Sequence, residues 1–451
     1  MQMKNLKKTD PQIYKLIKAE EMRQRDVLEM IPSENYTSLA VMEALGTVLT
    51  NKYSEGFPKK RYYQGNEVID RVEMLAQERA KKLFGVPYVN VQALSGAPAN
   101  SAVYFAVLEN GEKLMGLSLA YGGHITHGHK LGLSGRLFKF AHYTLDEKKE
   151  TLDYDEIEKQ VLKEKPKLLI CGFTAYPRKI DFKRFAQIAD KVGAYLMADI
   201  AHIAGLIVAG VHPSPVPYAH IITTTTHKTL RGPRGALIMV TEKGLKKNPA
   251  LPQKIETAII PGLQGGPHDN QTAAIAVALK EAATPKFKKY GQQIVANAKA
   301  LAEELKKYDF DLVSGGTENH LILIDLRNKK VNGRVAAIAL EAAGIVLNYN
   351  GVPGDTMPPL FASGIRLGTP AITTRGMKER DMKKIAAWYN EAIKEVEGWN
   401  VPKDDNRFDK LTTREKRSSL MKEYRAKIAK NKKLAAIAKE VRLFCTKFPV
   451  P

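Results

Sequence analysis

HIITTTTHKTLRGPRGALIMV, residues 220–240, sets the frame for the chain. A short β-branched run passes through four threonines and delivers His227 and Lys228 ahead of Arg231 and Arg234. Gly232, Pro233 and Gly235 then turn the chain into a second apolar run. β-Branched residues favour strands, so the stretch reads strand, loop, strand. A surface lysine needs no such setting. A lysine that must lose its proton does, because burial and a neighbouring cation both disfavour the ammonium. Arg231 and Arg234 are the candidate cations.

The same rhythm extends on both sides. YVNVQAL, LMGLSL, FKFAHY, KLLICGFT and AYLMADI are short apolar runs upstream, separated by helical segments such as 68–84 and 181–192. Continuous apolar strands alternating with helices predict a largely parallel sheet covered on both faces. Asp10 and Pro11 open a helix that is expected to run to about Met30. Beyond Pro285 the pattern changes. A long amphipathic helix, 287–307, precedes strands near Leu312 and at LILIDL. A helix at 333–343 and the strands IVLN and IRLGTPAI follow, and TTRGMKERDMKKIAAWYNEAI is a capped helix. The expected division is an N-terminal helical arm (1–50), a large domain (51–285) and a smaller C-terminal α/β domain with a basic helical tail (286–451).

The chain has 451 residues, 44% of them hydrophobic, enough for more than one core. Two cysteines, Cys171 and Cys445, form no disulfide framework, which points to a reducing compartment. MQMKNLKKTD has no apolar run of a secretory signal, and no stretch approaches a membrane span. The expectation is a cytoplasmic protein without membrane partners. The net charge of +22 is partly local: residues 402–451 hold 15 Lys/Arg against 6 Asp/Glu. Aromatic residues are sparse there, so the segment reads as a helix with a solvated basic face, not a stacking platform for nucleic acid.

Three strand ends supply chemistry. After YVNVQAL, the turn SGAPAN enters a helix whose free amides suit an anion, with Ser95 adding a hydroxyl and Gly96 allowing close approach. GAYLMADIAH ends a strand in Asp199, with His202 three residues on, on the ligand side of a parallel sheet. HIITTTT brings Lys228 to the same edge. An anion corner, an acid and a lysine fit pyridoxal phosphate: phosphate on the helix, carboxylate on the ring nitrogen, lysine for the Schiff base. GGHITHGH, with His124, His127 and His129, lacks the ligand set of a metal site, so no metal is expected. A ring stacked on the cofactor suits one of these histidines better. Arg366, in IRLGTPAI, suits a substrate carboxylate. SENY and NKYSEGFPKKRYYQG supply Ser33, Tyr53, Glu55, Tyr62 and Tyr63, groups suited to proton transfer.

SENYTS, NKYSEGFPKKRYYQG, GGHITHG, ADIAHIAGL, TTTTHKTLRGPRG, QGGPHDN, VSGGTENHL and SGIRLGTPA together resemble the serine hydroxymethyltransferases, in that family's order, from about residue 10 to 400. The resemblance implies an α/β fold of the fold-type-I pyridoxal-phosphate transferases, with a mostly parallel seven-stranded sheet. It implies transfer of the serine hydroxymethyl group to tetrahydrofolate. On it, Lys228 forms the Schiff base, Asp199 pairs with the ring nitrogen and His124 stacks on the ring. His202 and Thr174 contact the ring hydroxyl region, and His202 also serves the substrate. Ser95, Gly96, Tyr53 and Gly265 or Gly266 hold the phosphate. Thr225, His227 and Arg234 surround the lysine. Arg366, with Ser33 and Tyr63, holds the substrate carboxylate. Glu55 is the acid/base, with Tyr62 nearby, and Asn350, Leu119, Gly123 and Ile125 line the folate site. A homodimer with shared sites, or a dimer of such dimers, follows from the same resemblance.

Departures from the family's usual pattern are Ala97 in SGAPAN, Gln64 in RYYQG, Arg231 in TLRG and a longer tail at 412–433. An aldolase acting on β-hydroxy amino acids shares the fold and stands as the alternative. A nucleic-acid-binding protein on this fold is the alternative from another class, prompted by the charge.

Overall fold

The computed structural model describes residues 3–401 and 410–451. Seven strands form the central sheet: β1 (Tyr88–Asn90), β2 (Lys113–Leu117), β3 (Lys139–Tyr143), β4 (Leu168–Cys171), β5 (Tyr195–Asp199), β6 (Ile221–Thr225) and β7 (Ala236–Val240). Their spatial order is β1-β7-β6-β5-β4-β2-β3. Neighbours from β6 to β3 run parallel, while β7 is antiparallel to both β6 and β1. Every residue of β4, β6 and β7 is buried, as the apolar runs require of strands covered on both faces. Side chains alternate along a strand. Leu237 and Met239 therefore enter one core cluster, and Ala236, Ile238 and Val240 another.

A second sheet is wholly antiparallel, with β8 (Asp311–Leu312), β9 (Leu321–Asp325), β10 (Asn348–Asn350) and β11 (Gly364–Gly368) in the order β8-β9-β11-β10. Its own core includes Ile324, Leu340, Trp388 and Tyr389. The helix Pro285–Lys306 joins the two cores: Phe287 and Ile294 pack into the first, Leu301 and Leu305 into the second. Among the described residues no helix is long and apolar enough to cross a membrane.

Three local expectations are corrected. The N-terminal helix is capped by Asp10, whose carboxylate accepts from the amides of Gln12 and Ile13, but it ends at Asp26, not near Met30. Leu28 and Glu29 instead pair in parallel with Ile345 and Val346, which buries Leu28 and Met30 completely. The strand in IRLGTPAI stops at Gly368. Thr369 precedes a short helix, Pro370–Thr374, because proline has no amide for the ladder and suits the first helical turn. The tail is two helices, Lys410–Ala429 and Lys432–Cys445. Asn431 breaks them by capping the second through the amides of Lys433 and Leu434. The tail's other face is apolar: Ile428, Leu434, Ile437 and Val441 are buried in the second core. Its first part, residues 402–409, lies outside the described residues.

Candidate active site

The carboxyl ends of β5 and β6 and the N-terminus of the helix Gly96–Val107 converge on a cavity of about 240 Å³. Ser95, Gly96, His124, Thr174, Asp199, His202, Thr225, His227, Lys228 and Arg234 all line it, so ten of the expected residues meet. Asn100, His127, Phe173 and Ala201 join them.

Lys228 is partly buried, and its amine is pulled down to about 8. Burial is the main cause, with Arg366 and Arg234 adding to it and Asp199 opposing. Arg231 is not among the causes, which corrects the expectation for it. Its guanidinium stacks on the Tyr290 ring, 4.8 Å from the centroid. Its backbone is left-handed, φ 60°, a conformation that disfavours side chains beyond glycine. Asn35 donates to the Lys228 carbonyl at 3.0 Å and fixes the backbone there.

The threonine row has several duties. Thr223 donates to Asn100 Oδ1 at 2.8 Å, and Asn100 Nδ2 donates to Asp199 Oδ2 at 2.9 Å. Thr226 donates to the Pro233 carbonyl at 2.7 Å and closes the lysine loop. Thr229 donates to the His202 carbonyl at 3.0 Å.

Asp199 is the anionic pole. Its Oδ1 accepts from the Ala201 amide at 3.1 Å, and its Oδ2 meets His127 Nε2 at 3.1 Å. Burial alone would raise the carboxyl; the bond from His127, the charge interaction with both imidazoles and the Asn100 bond overrule it and hold it well below the usual range. His124 is pushed down to about 4, mainly by burial, so its ring is neutral. His227, at about 3 for the same reason with Arg234 contributing, is also neutral. Its Nε2 faces the Arg234 guanidinium at 3.2 Å, and its Nδ1 is buried without a hydrogen-bond partner among the described residues. His124, His127 and Asp199 bring one ligand atom each within 4.8 Å of one another. Their bonds to Thr126, Asn100 and each other already account for the arrangement.

These features suit pyridoxal phosphate. Ser95 stands at the N-cap of a helix without bonding its own backbone amides, so hydroxyl and amides are free for an anion. Gly96 has no room for more: a Cβ there would lie 2.8 Å from Thr225 Cγ2. The carboxylate and the poised amine face the same cavity.

A second cavity of about 510 Å³ shares His124 and Thr174 with the first. Leu119, Gly123 and Asn350 line it, along with Phe140, Tyr349, Met357 and Pro359. Ile125 is exposed and lines neither cavity. Arg366 lies between the sheets: its Nε donates to Asn348 Oδ1 at 3.0 Å and its Nη1 to the Thr174 carbonyl at 2.5 Å. Burial draws it down to about 10, and no carboxylate among the described residues pairs with it. The turn holding Ser33 runs alongside, since the Gly368 amide donates to the Met30 carbonyl at 2.8 Å.

The remaining expected residues form a third group that lines neither cavity. Tyr53 Oη donates to Glu55 Oε1 at 3.1 Å, and the Tyr53 and Tyr63 rings meet edge-on at 5.1 Å. Gly265 and Gly266 abut Glu55 and the Tyr53 ring. Tyr53, Tyr62 and Tyr63 are 55%, 73% and 47% exposed. Arg61 anchors this loop from beneath: it donates to the carbonyls of Ser54 and Gly56, to Asp70 at 2.9 Å and to Glu73 at 2.6 Å, where it and Glu73 are almost fully buried.

Sequence reasoning missed Asn100, His320 and Asn348 and gave His127 no role. For His127 the signal was its three-residue spacing from His124; for Asn100 it was a polar residue one turn into an apolar helix. Asn348 and His320 had no local signal.

The family profile described as serine hydroxymethyltransferase matches residues 6–389. A curated serine hydroxymethyltransferase of Desulfotalea psychrophila is 50% identical over 449 residues, covering 100% of this chain and 96% of that protein.

Proposed function

Because the chain belongs to the serine hydroxymethyltransferase family, pyridoxal-phosphate-dependent transferases of fold type I, we propose residue roles for a reaction that the family defines. That reaction interconverts serine and glycine, with tetrahydrofolate taking the one-carbon unit. Bound in the inner cavity, pyridoxal phosphate supplies an electron sink for the bond broken beside the amino nitrogen.

In this reading Ser95, Gly96 and the amides of the following helix bind the phosphate. Asp199, oriented by His127 and Asn100, holds a proton on the ring nitrogen. His124 packs neutral against the ring face. Lys228 stands poised near neutral pH to give up and regain a proton at Nζ, with Thr225, His227 and Arg234 fixing its surroundings. Thr174 and His202 serve the ring hydroxyl side. Arg366, a partly buried cation that no carboxylate among the described residues pairs with, takes the substrate carboxylate, with Ser33 beside it. The observation that carries the reading is the convergence of Lys228, Asp199 and a free helix N-terminus on one buried cavity.

The outer cavity suits the folate. Asn350 and Leu119 line it, and Lys130 adds a cation to its wall. Asp355, the acid among its lining residues, is turned to the amides of Met357 and Ser363.

Glu55, Tyr53, Tyr62, Tyr63, Gly265 and Gly266 complete the site from a second copy of the chain. In that homodimer Glu55 moves the proton at the serine hydroxyl oxygen. The exposure of three tyrosines around one carboxylate supports this. Two free cysteines, both buried, accord with a cytoplasmic setting.

The test is complementation between Lys228→Ala and Glu55→Gln chains, each inactive alone. Mixed dimers hold one site with both Lys228 and Glu55 only if Glu55 crosses the interface. About half of the wild-type activity per mixed dimer is then expected, by counting intact sites. No recovery in verified mixed dimers would refute the exchange.

A further inference from the structure

His202 follows β5 of the seven-stranded sheet, and His320 immediately precedes β9 of the four-stranded sheet. His202 Nδ1 and His320 Nε2 lie 3.2 Å apart, and the rings sit 5.5 Å apart at 30°. Both are buried, at 4% and 0% exposure. Burial, with Lys228 and Arg366 nearby, disfavours the charged form of each. Two neutral imidazoles joined by one hydrogen bond hold a single proton between them, so one must donate and the other accept.

The direction follows from the far side of His320. Its Nδ1 is buried and has no hydrogen-bond partner among the described residues. A stranded N–H in such a place is rarer than a stranded acceptor. His320 therefore holds its hydrogen on Nε2 and donates to His202 Nδ1. His202 is left with its own hydrogen on Nε2, the nitrogen free to face the inner cavity that it lines.

We propose that His320 is a positioning residue which fixes the tautomer of His202, making His202 an obligatory hydrogen-bond donor to an anionic oxygen in the cavity. That oxygen belongs either to the cofactor's ring hydroxyl or to the substrate carboxylate. The inference rests on the cofactor reading for its ligand, but not for the tautomer. The bond also ties the two sheets together at the site, since Thr229 pins the His202 carbonyl and the Thr369 amide donates to the His320 carbonyl at 3.1 Å.

Neutron diffraction from perdeuterated full-length protein tests it directly. The wild type is expected to show deuterium on Nε2 of both rings. Two variants add a functional readout. His320→Leu removes the donor, whereas His320→Gln offers an amide N–H in its place. His320→Leu is expected to weaken one ligand about tenfold, equivalent to about 1.4 kcal/mol, and His320→Gln to recover most of that loss. A loss for pyridoxal phosphate assigns the ring hydroxyl; a loss for glycine with cofactor affinity intact assigns the carboxylate. Deuterium on Nδ1 of His202 in the wild type overturns the proposal, whatever becomes of the cofactor reading. So do unchanged affinities for both ligands in folded His320→Leu, and so does an equal loss in the two variants.

Discussion

Replacing Lys228 by methionine is expected to stabilise the cofactor-free protein near neutral pH and to stop doing so in alkali. An unfolded lysine titrates at 10.5 and the folded one at about 8, chiefly because it is buried. The group's folded value is depressed, so the unfolded chain holds the proton more tightly. Stability therefore rises with pH wherever the unfolded form is protonated and the folded form is not, from about 8 to about 10.5. Below that window the folded protein confines an ammonium at a cost of about 3 kcal/mol. Methionine is unbranched and apolar, fills nearly the same tube of space and has no charge to bury.

The gain of about 3 kcal/mol corresponds to about 3 °C in melting temperature for a chain of this size, if it unfolds as one unit. The assay is differential scanning calorimetry of cofactor-free wild type and Lys228→Met from about pH 7 to about pH 10. Only the difference between the two proteins is read, so other titrations cancel to first order. The difference should favour the variant by about 3 °C at pH 7 and shrink steadily above pH 8. A difference that ignores pH, or that widens towards alkali, would refute a buried lysine poised by its surroundings.

Arg61→Met should loosen the Tyr53–Tyr63 loop and cost about 3 to 5 kcal/mol, because Glu73 is left buried without its partner; faster amide exchange confined to residues 53–63 and their neighbours is the expected record. Arg231→Gly should leave the Lys228 titration where it is while relieving a left-handed backbone worth about 1 kcal/mol; Arg234→Met should instead raise the titration midpoint, as read from the pH dependence of lysine modification. Salt should weaken the enzyme's response to polyglutamylated tetrahydrofolate more than to the monoglutamate, since charge attraction is screened over about 10 Å at 0.1 M. Lys130→Glu should reduce that difference; equal salt sensitivity for the two folates in the wild type would remove Lys130 from folate recognition.

What was legible in the sequence was whatever depends on near neighbours. The strands β4 to β7 announced themselves because residues buried on both faces leave no polar alternation, and Lys228 and Asp199 stood at their ends. Asp10 and Pro11 marked a helix start for an equally local reason. The failures share the opposite cause. Leu28 looked like one more turn of helix until its partner was known to be Ile345, more than three hundred residues away. Arg231 looked like a neighbour of Lys228 because it is three residues off, yet Tyr290 holds it aside. His320 and Asn348 act on His202 and Arg366 only because the second sheet folds back onto the first.

The same reasoning explains why the loop at Tyr53 was legible as chemistry but not as geometry. Its acid and tyrosines suit proton transfer, yet in one chain the tyrosines face solvent while the lysine and the aspartate line the inner cavity elsewhere. Arg61, Asp70 and Glu73 nevertheless hold the loop's backbone from below through buried ion pairs. A buried cation between two carboxylates is a weak source of stability, since desolvation offsets most of the attraction. Its value lies in orientation: it presents the half-buried Glu55 carboxylate in one pose. A pose fixed from beneath and open above is what a site completed by another copy of the chain requires, and the mixed-dimer experiment decides whether Glu55 is used that way.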